Sequence, residues 1–330
     1  MRDLRRQASY RRTADGVAIE PIRGRMSAQS IDVDGQPPRD RLIVGYIAGD
    51  RGRDAIQLAT FLATGMNTEL IITLIQPDSS SFHGTFPMSK GDQNLLRPQL
   101  AKWIDEALEL VPEGIPARGI VWRSSSEAQG LMEAAAEYDA RLIVIGARAN
   151  ALMRQFRIGS VAQTLLHASP IPVALAPGGF VASGEVERVT AVFGARPGAT
   201  GLIGEAFERG ITRQVPVRLL SLVQVDRTRP SELREVTELA RDFGGSEFEA
   251  QAEELLDSGD ATVEVVEGDS VEDALSRVEW LDGEIALLGS SRIAQEGRIF
   301  LGSRALRLLR VLPVPVVVVP RGFLGGSEDE

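Results

Sequence analysis

The chain has 330 residues, a mass of 35.6 kDa, a net charge of −10 and no cysteine, which allows two domains of ordinary size and excludes disulfides, thiolate nucleophiles and cysteine-ligated zinc. Two histidines, His83 and His167, leave little for an imidazole-bound metal, and no run of about 18 apolar residues offers a membrane-spanning helix. The charge is uneven: residues 1 to 40 carry +2, 41 to 183 carry −1 and 184 to 330 carry −11, a balance that argues against nucleic acid as a partner of the second half.

Residues 1 to 40 mix Arg, Asp, Ser, Gly and Pro without helical or strand periodicity and are expected to be disordered. Arg2, Arg5, Arg6, Arg11 and Arg12 make this start basic. Met26 opens a stretch, MSAQSIDVDG, that leads naturally into the first domain, so residues 1 to 25 are either an interaction tail or the product of a misplaced start. From residue 41 apolar strands alternate with helices. Strands are predicted at 41–47, 69–75, 117–123, 141–146 and 171–176, with helices at 53–64, 96–110, 126–137 and 159–167 between them. The same order returns with strands at 188–193, 216–223, 261–267, 284–289 and 314–320, and helices near 200–211, within 231–256, at 271–281 and at 303–309. Domains are therefore expected over 41–180 and 187–322, followed by a short acidic tail at 323–330.

The second half repeats the first. LIVIGARANALMRQFRIGSVAQTLLHASPIPVALAP (142–177) aligns without a gap on IALLGSSRIAQEGRIFLGSRALRLLRVLPVPVVVVP (285–320), pairing Gly146 with Gly289, Gly159 with Gly302, Ser160 with Ser303 and three prolines with three prolines. Strands separated by helices demand a parallel sheet covered on both faces, and right-handed crossovers make 3-2-1-4-5 the economical strand order. Such a sheet reverses direction between strands one and four, and a ligand crevice forms at their carboxyl ends. Gly146 and Gly289 fall at that place.

The loop after strand four carries the candidate chemistry. In the first copy it holds Gly146, Arg148, Ala149, Arg157, Gly159, Ser160 and Val161; in the second, Gly289, Arg292, Gly302 and Ser303. Gly-Ser at a helix start offers unladdered N–H groups and the positive end of a dipole to an anion, and loop arginines can clamp a phosphate. The plainer alternative is that the serines cap their helices and the glycines supply left-handed backbone.

These residues resemble the carboxyl-terminal half of universal stress protein domains: an apolar strand, G-x-x-G, nine residues, G-S, and a closing P-x-P-V-x-x-x-P strand. RLIVGYIAGDRGRDAIQLATFLA resembles the family's opening strand and helix, and EGDSVEDALSRVEWLDGEIALLGSS its third strand, third helix and fourth strand. The resemblance covers about 41–180 and 187–322. It implies two flavodoxin-like domains, also described as adenine-nucleotide alpha-hydrolase-like, that bind ATP, with magnesium accompanying the nucleotide, or have lost that ability. It implies a non-catalytic, cytosolic stress-response protein whose domains pair through their fifth strands. This chain departs from the family at the end of strand one, where an aspartate usually contacts the nucleotide and Ile47 and Gly194 stand instead. The second loop glycine is Ala149 in one copy and Arg292 in the other, so the second copy is the more degenerate.

Strands 171–176 and 314–319 are too apolar for a free edge, and in one polypeptide they can pair with each other as a pseudo-dimer; a homodimer of chains is left open. GARPGATGLIG (194–204) lacks the spacing of a dinucleotide fingerprint, GTFPMSKGD (84–92) lacks the Gly-Lys-Ser order of a Walker loop, and no nucleophile is set beside a base. Three readings remain: an adenine-nucleotide-binding regulatory protein, a nucleotide-free interaction module and, behind these, a slow ATPase.

Overall fold

The computed structural model describes residues 8–13, 16–21, 40–77, 90–150, 155–181, 183–193, 200–224, 249–290 and 297–321. They divide into two compact units, Met1–Gly146 and Ala147–Glu330.

In the first unit, β3 (Asp40–Gly45), β4 (Thr68–Pro77), β5 (Ala117–Ser124) and β6 (Leu142–Gly146) alternate with α1 (Asp50–Ala63), α2 (Lys90–Leu108) and α3 (Glu127–Glu137). The strands are parallel in the order β6-β3-β4-β5. Consecutive rather than alternate residues of β3 and β6 are buried, because helices cover both faces of a parallel sheet. Ser126 caps α3 by accepting from the Gln129 amide at 3.3 Å.

Two stretches inside the region expected to be disordered, β1 (Ala8–Thr13) and β2 (Gly16–Pro21), instead pair antiparallel, and β1 adds antiparallel to the β5 edge. An open parallel edge is a template for a further strand. Thr13 pairs with Gly16, so Asp15-Gly16 falls where the chain enters β2, a turn-type dipeptide that average composition hides.

In the second unit, β10 (Arg188–Phe193), β11 (Val217–Gln224), β12 (Ala261–Gly268), β13 (Glu284–Gly289) and β14 (Val316–Val319) stand in the order β12-β11-β10-β13-β14, all parallel, which is the predicted 3-2-1-4-5. Their helices are α5 (Thr200–Arg213), α6 (Glu249–Ser258), α7 (Val271–Ser276) and α8 (Ser303–Val311). This unit also holds a two-stranded ribbon, β7 (Arg148–Asn150) with β8 (Gln155–Arg157), then α4 (Ser160–Ala168) and β9 (Val173–Ala176). β9 runs antiparallel to β14, with Val173 opposite Val318 and Leu175 opposite Val316, so the closing strands of the two sequence copies do form a ladder. Helix α7 stops at Ser276, short of the predicted 281, where Arg277 takes up the cap. The part of the predicted 231–256 helix before Glu249 lies outside the described residues.

Each unit holds a polar cluster at the amino ends of its strands, half-buried in the first and centred on buried Arg218 and Glu284 in the second. In the first, Glu69 meets Arg41 at 3.6 Å and Arg118 at 3.3 Å, and Arg118 lies 4.8 Å over the Tyr138 ring. In the second, Arg218 meets Glu284 at 2.6 Å and Glu264 at 3.2 Å and lies 4.8 Å over the Trp280 ring. No helix among the described residues is long and apolar enough to cross a membrane.

Candidate functional site

At the carboxyl end of β3 the chain passes through Tyr46, Ile47 and Gly49 into α1. Gly49 serves as N-cap with φ of 148°, a backbone state other residues rarely adopt. The first turn of α1 then lies hard against the strand ends: the Ile47 carbonyl and the Tyr46 ring crowd Gly52, and the Arg51 carbonyl occupies the space a side chain on Gly146 would need. Gly146 is thus a glycine of close approach, fixed by backbone rather than by ligand. Burial raises the Tyr46 hydroxyl pKa, aided by Glu106 and opposed by Arg53. Burial likewise raises the Glu127 carboxyl at the start of α3, against the pull of Arg51.

The anion-binding candidates of the first copy sit on the ribbon and α4. Gly159 is the N-cap of α4 with extended backbone (φ −80°, ψ 173°), and the first ladder bond runs from Gln163 N to Gly159 O at 2.9 Å. The amides of Ser160, Val161 and Ala162 therefore precede the ladder and point out of the helix tip. Among the described residues, a Cβ on Gly159 would meet nothing within 4 Å. Ser160 is exposed and is the first helical residue, with no side-chain cap bond at this terminus. The capping alternative is therefore corrected for Ser160, as is left-handed backbone at Gly159.

Arg148, Ala149 and Arg157 are not in a tight turn. They form the β7–β8 ribbon, in which Arg148 is the register partner of Arg157 and Ala149 of Phe156. In an extended strand Ala149 needs no positive φ, so alanine in place of the family's second loop glycine brings no backbone strain there.

In the second copy Gly302 caps α8 with φ −70° and ψ 167°, again extended, without a side-chain cap bond, and Leu306 N bonds Gly302 O at 3.0 Å. Ser303 is the first residue of α8, as Ser160 is of α4. Gly289 is packed by Leu202 of α5, whose carbons stand 3.6 Å from a Cβ built there. Leu202 is thus the apolar neighbour of this glycine. Arg292 and Gly194 lie outside the described residues, as does His83.

Sequence reasoning passed over Ser290, next to Gly289. Its hydroxyl accepts the Phe300 amide at 2.7 Å and reaches the Arg298 and Phe300 carbonyls at 3.3 and 3.2 Å, pinning the segment that leads into Gly302. The signal was present, since the first copy has Ala147 there.

Parallel strands alternating with helices, with a glycine closing the fourth strand and a Gly-Ser helix start following it in each sequence copy, define a duplicated α/β protein. The chain belongs to the universal stress protein family, whose model matches it twice, over residues 38–177 and 185–320. It is 28% identical to universal stress proteins of Mycobacterium tuberculosis and Mycobacterium bovis over 298 residues, 84% of this chain and 99% of each relative. Among solved structures it is similar to a universal stress protein from Archaeoglobus fulgidus (TM-score 0.60, 14% identity, 86% of this chain and 98% of that one). It is also similar to one from Pseudomonas aeruginosa (TM-score 0.53, 17% identity, 86% and 94%). A universal stress protein from Archaeoglobus fulgidus solved with dAMP aligns over 41% of this chain at a TM-score of 0.28, too low to bear on fold or function.

Proposed function

We propose that this universal stress protein is a non-catalytic regulatory protein that binds ATP or a related adenine nucleotide through its phosphates at the tip of α4. The observation that carries this is the tip itself: among the described residues nothing stands within 4 Å of a Cβ on Gly159, ahead of three unladdered amides. The sequence supports it, because Arg148 and Arg157 flank the tip in the chain and a guanidinium can clamp a phosphate. Ser160 and Val161 at the tip complete the first-copy set, and magnesium would arrive with the triphosphate. The second copy, with Leu202 against Gly289, is assigned a structural role, and Gly302 and Ser303 are not expected to hold nucleotide.

Thermal unfolding with magnesium and ATP tests this. At about 100 times the dissociation constant a ligand stabilises by about 2.7 kcal/mol, so the melting temperature is expected to rise with ATP and with inorganic triphosphate and to stay put with adenosine. Gly159→Arg, with its fold checked by circular dichroism, is expected to abolish the rise. An absence of any shift would favour the nucleotide-free interaction module, the reading that Ile47 in place of an acidic residue supports.

A further inference from the structure

We propose that α4 and the segment Ile299–Leu301 open and close as one cooperative unit, so that the helix tip of the first copy and that of the second are mechanically linked. The link is built from consecutive backbone groups. The Ile299 amide donates to the Ser169 carbonyl at 3.0 Å and the Leu301 amide to the Leu166 carbonyl at 3.2 Å. Carbonyls at the end of a helix have no ladder partner of their own. Here the other sequence copy supplies the partners. The amide between them, of Phe300, turns the opposite way and bonds the Ser290 hydroxyl at 2.7 Å, one residue from Gly289.

Side chains tighten the joint. Ile299 and Leu301 are buried, as are Leu165 and Leu166 of α4, and the Phe300 ring stands edge-on to His167 at 5.1 Å. Leu301 leads directly into Gly302, the N-cap of α8. Helix α4 is nine residues long, about 13 Å at 1.5 Å per residue, and rigid over that length. A displacement that begins at Gly159 therefore reaches the Leu166 and Ser169 carbonyls, and through them the two amides, of Ile299 and Leu301, that lead into the second tip. The contact is returned, since β8, which leads to Gly159, packs against α8. Coupling of this kind is reciprocal by thermodynamic necessity. The hydroxyl at Ser290 exists only in the second copy; Ala147 holds the matching place in the first.

Hydrogen exchange on the full chain without ligand tests the link. Phe300→Ala, and the milder Ser290→Ala, loosen the segment directly and are expected to speed exchange at Ile299 and Leu301. If the unit is cooperative, the Gln163 amide in the other copy, bonded to Gly159 O, accelerates with them by about fivefold or more, within the usual range of coupling. The Leu70 amide, bonded to Pro116 O in the first unit, is the control for global destabilisation and is expected to keep its rate. Faster exchange at 299 and 301 with Gln163 unchanged would overturn the proposal. A second arm rests on the nucleotide reading: ATP is expected to slow Ile299 and Leu301 by the same factor as Gln163. Slowing at Gln163 alone would overturn the link, whereas ATP without effect on melting or on Gln163 would overturn the nucleotide reading and leave the ligand-free arm to decide the link.

Discussion

The carbonyl oxygen of Arg51 stands where a side chain on Gly146 would have to go, whereas the equivalent Gly289 faces only the side chain of Leu202, at 3.6 Å from an added Cβ. One repeated glycine is demanded by backbone contact and the other is not. Gly146→Ala is therefore expected to destabilise the protein by about 1–3 kcal/mol or more, through overpacking that only a backbone shift can relieve. Gly289→Ala is expected to cost less than about 1 kcal/mol, as Leu202 is in ordinary contact. Urea denaturation of the two variants checks this, and equal losses would contradict it.

Glu284 is fully buried and holds Arg188 and Arg218 at 2.6 Å each, with the Thr190 hydroxyl and the Leu281 amide as further donors. Removing the buried carboxylate leaves buried Arg218 with only the more exposed Glu264 as an anionic partner among the described residues and strips Arg188 of its ion pair, so Glu284→Ala is expected to cost about 3–5 kcal/mol. Glu264, 39% exposed, also meets Arg218, yet Glu264→Gln is expected to cost under about 1 kcal/mol because solvent screens it. A Glu264 variant as unstable as the Glu284 variant would show that burial does not set the difference.

Burial raises the Glu127 carboxyl pKa in the folded chain. A raised acid keeps its proton longer when folded than when unfolded, so its contribution is complete below the ordinary carboxylate range and declines as the pH climbs through that range to the folded value. Glu127→Gln is expected to raise the melting temperature at neutral pH and to flatten the loss of stability between acid and neutral conditions. Parallel melting curves against pH for wild type and variant would refute this.

Gln214, just after α5, has φ of 56°, a left-handed state that side chains with a Cβ disfavour. Its neighbour's amide, Val215 N, bonds back to Gly210 O at 3.0 Å, the pattern of a helix end that usually takes glycine. Gln214→Gly is expected to stabilise by about 1 kcal/mol, measured by thermal unfolding; a loss of stability would contradict the assignment.

Much of this architecture is legible in the residues. Apolar runs such as Leu70–Leu74 and Val316–Val319 can only be buried strands, and the ungapped repeat ties Gly159 to Gly302, so the second sheet order and the β9–β14 ladder follow from elementary topology. What escaped depends on partners far apart in sequence or on a choice between equal local options. Arg188 and Glu284 are 96 positions apart, and nothing local to either announces the pair. Ala149 lies in a ribbon because residues 148–150 find partners at 155–157, which the spacing of glycines in the motif does not encode. Ser160 looks like a capping serine, yet Gly159 before it takes the N-cap position, so its hydroxyl is left at the surface beside the tip. Asp15-Gly16 was available as a turn signal and was outweighed by the basic, Pro- and Gly-containing stretch around it.

Calorimetric titration of the full chain with ATP and magnesium tests the central claim most directly. The predicted result is one nucleotide per chain, lost in Gly159→Arg and retained in Gly302→Arg. No heat at millimolar ATP, or binding that survives Gly159→Arg and disappears in Gly302→Arg, would contradict it.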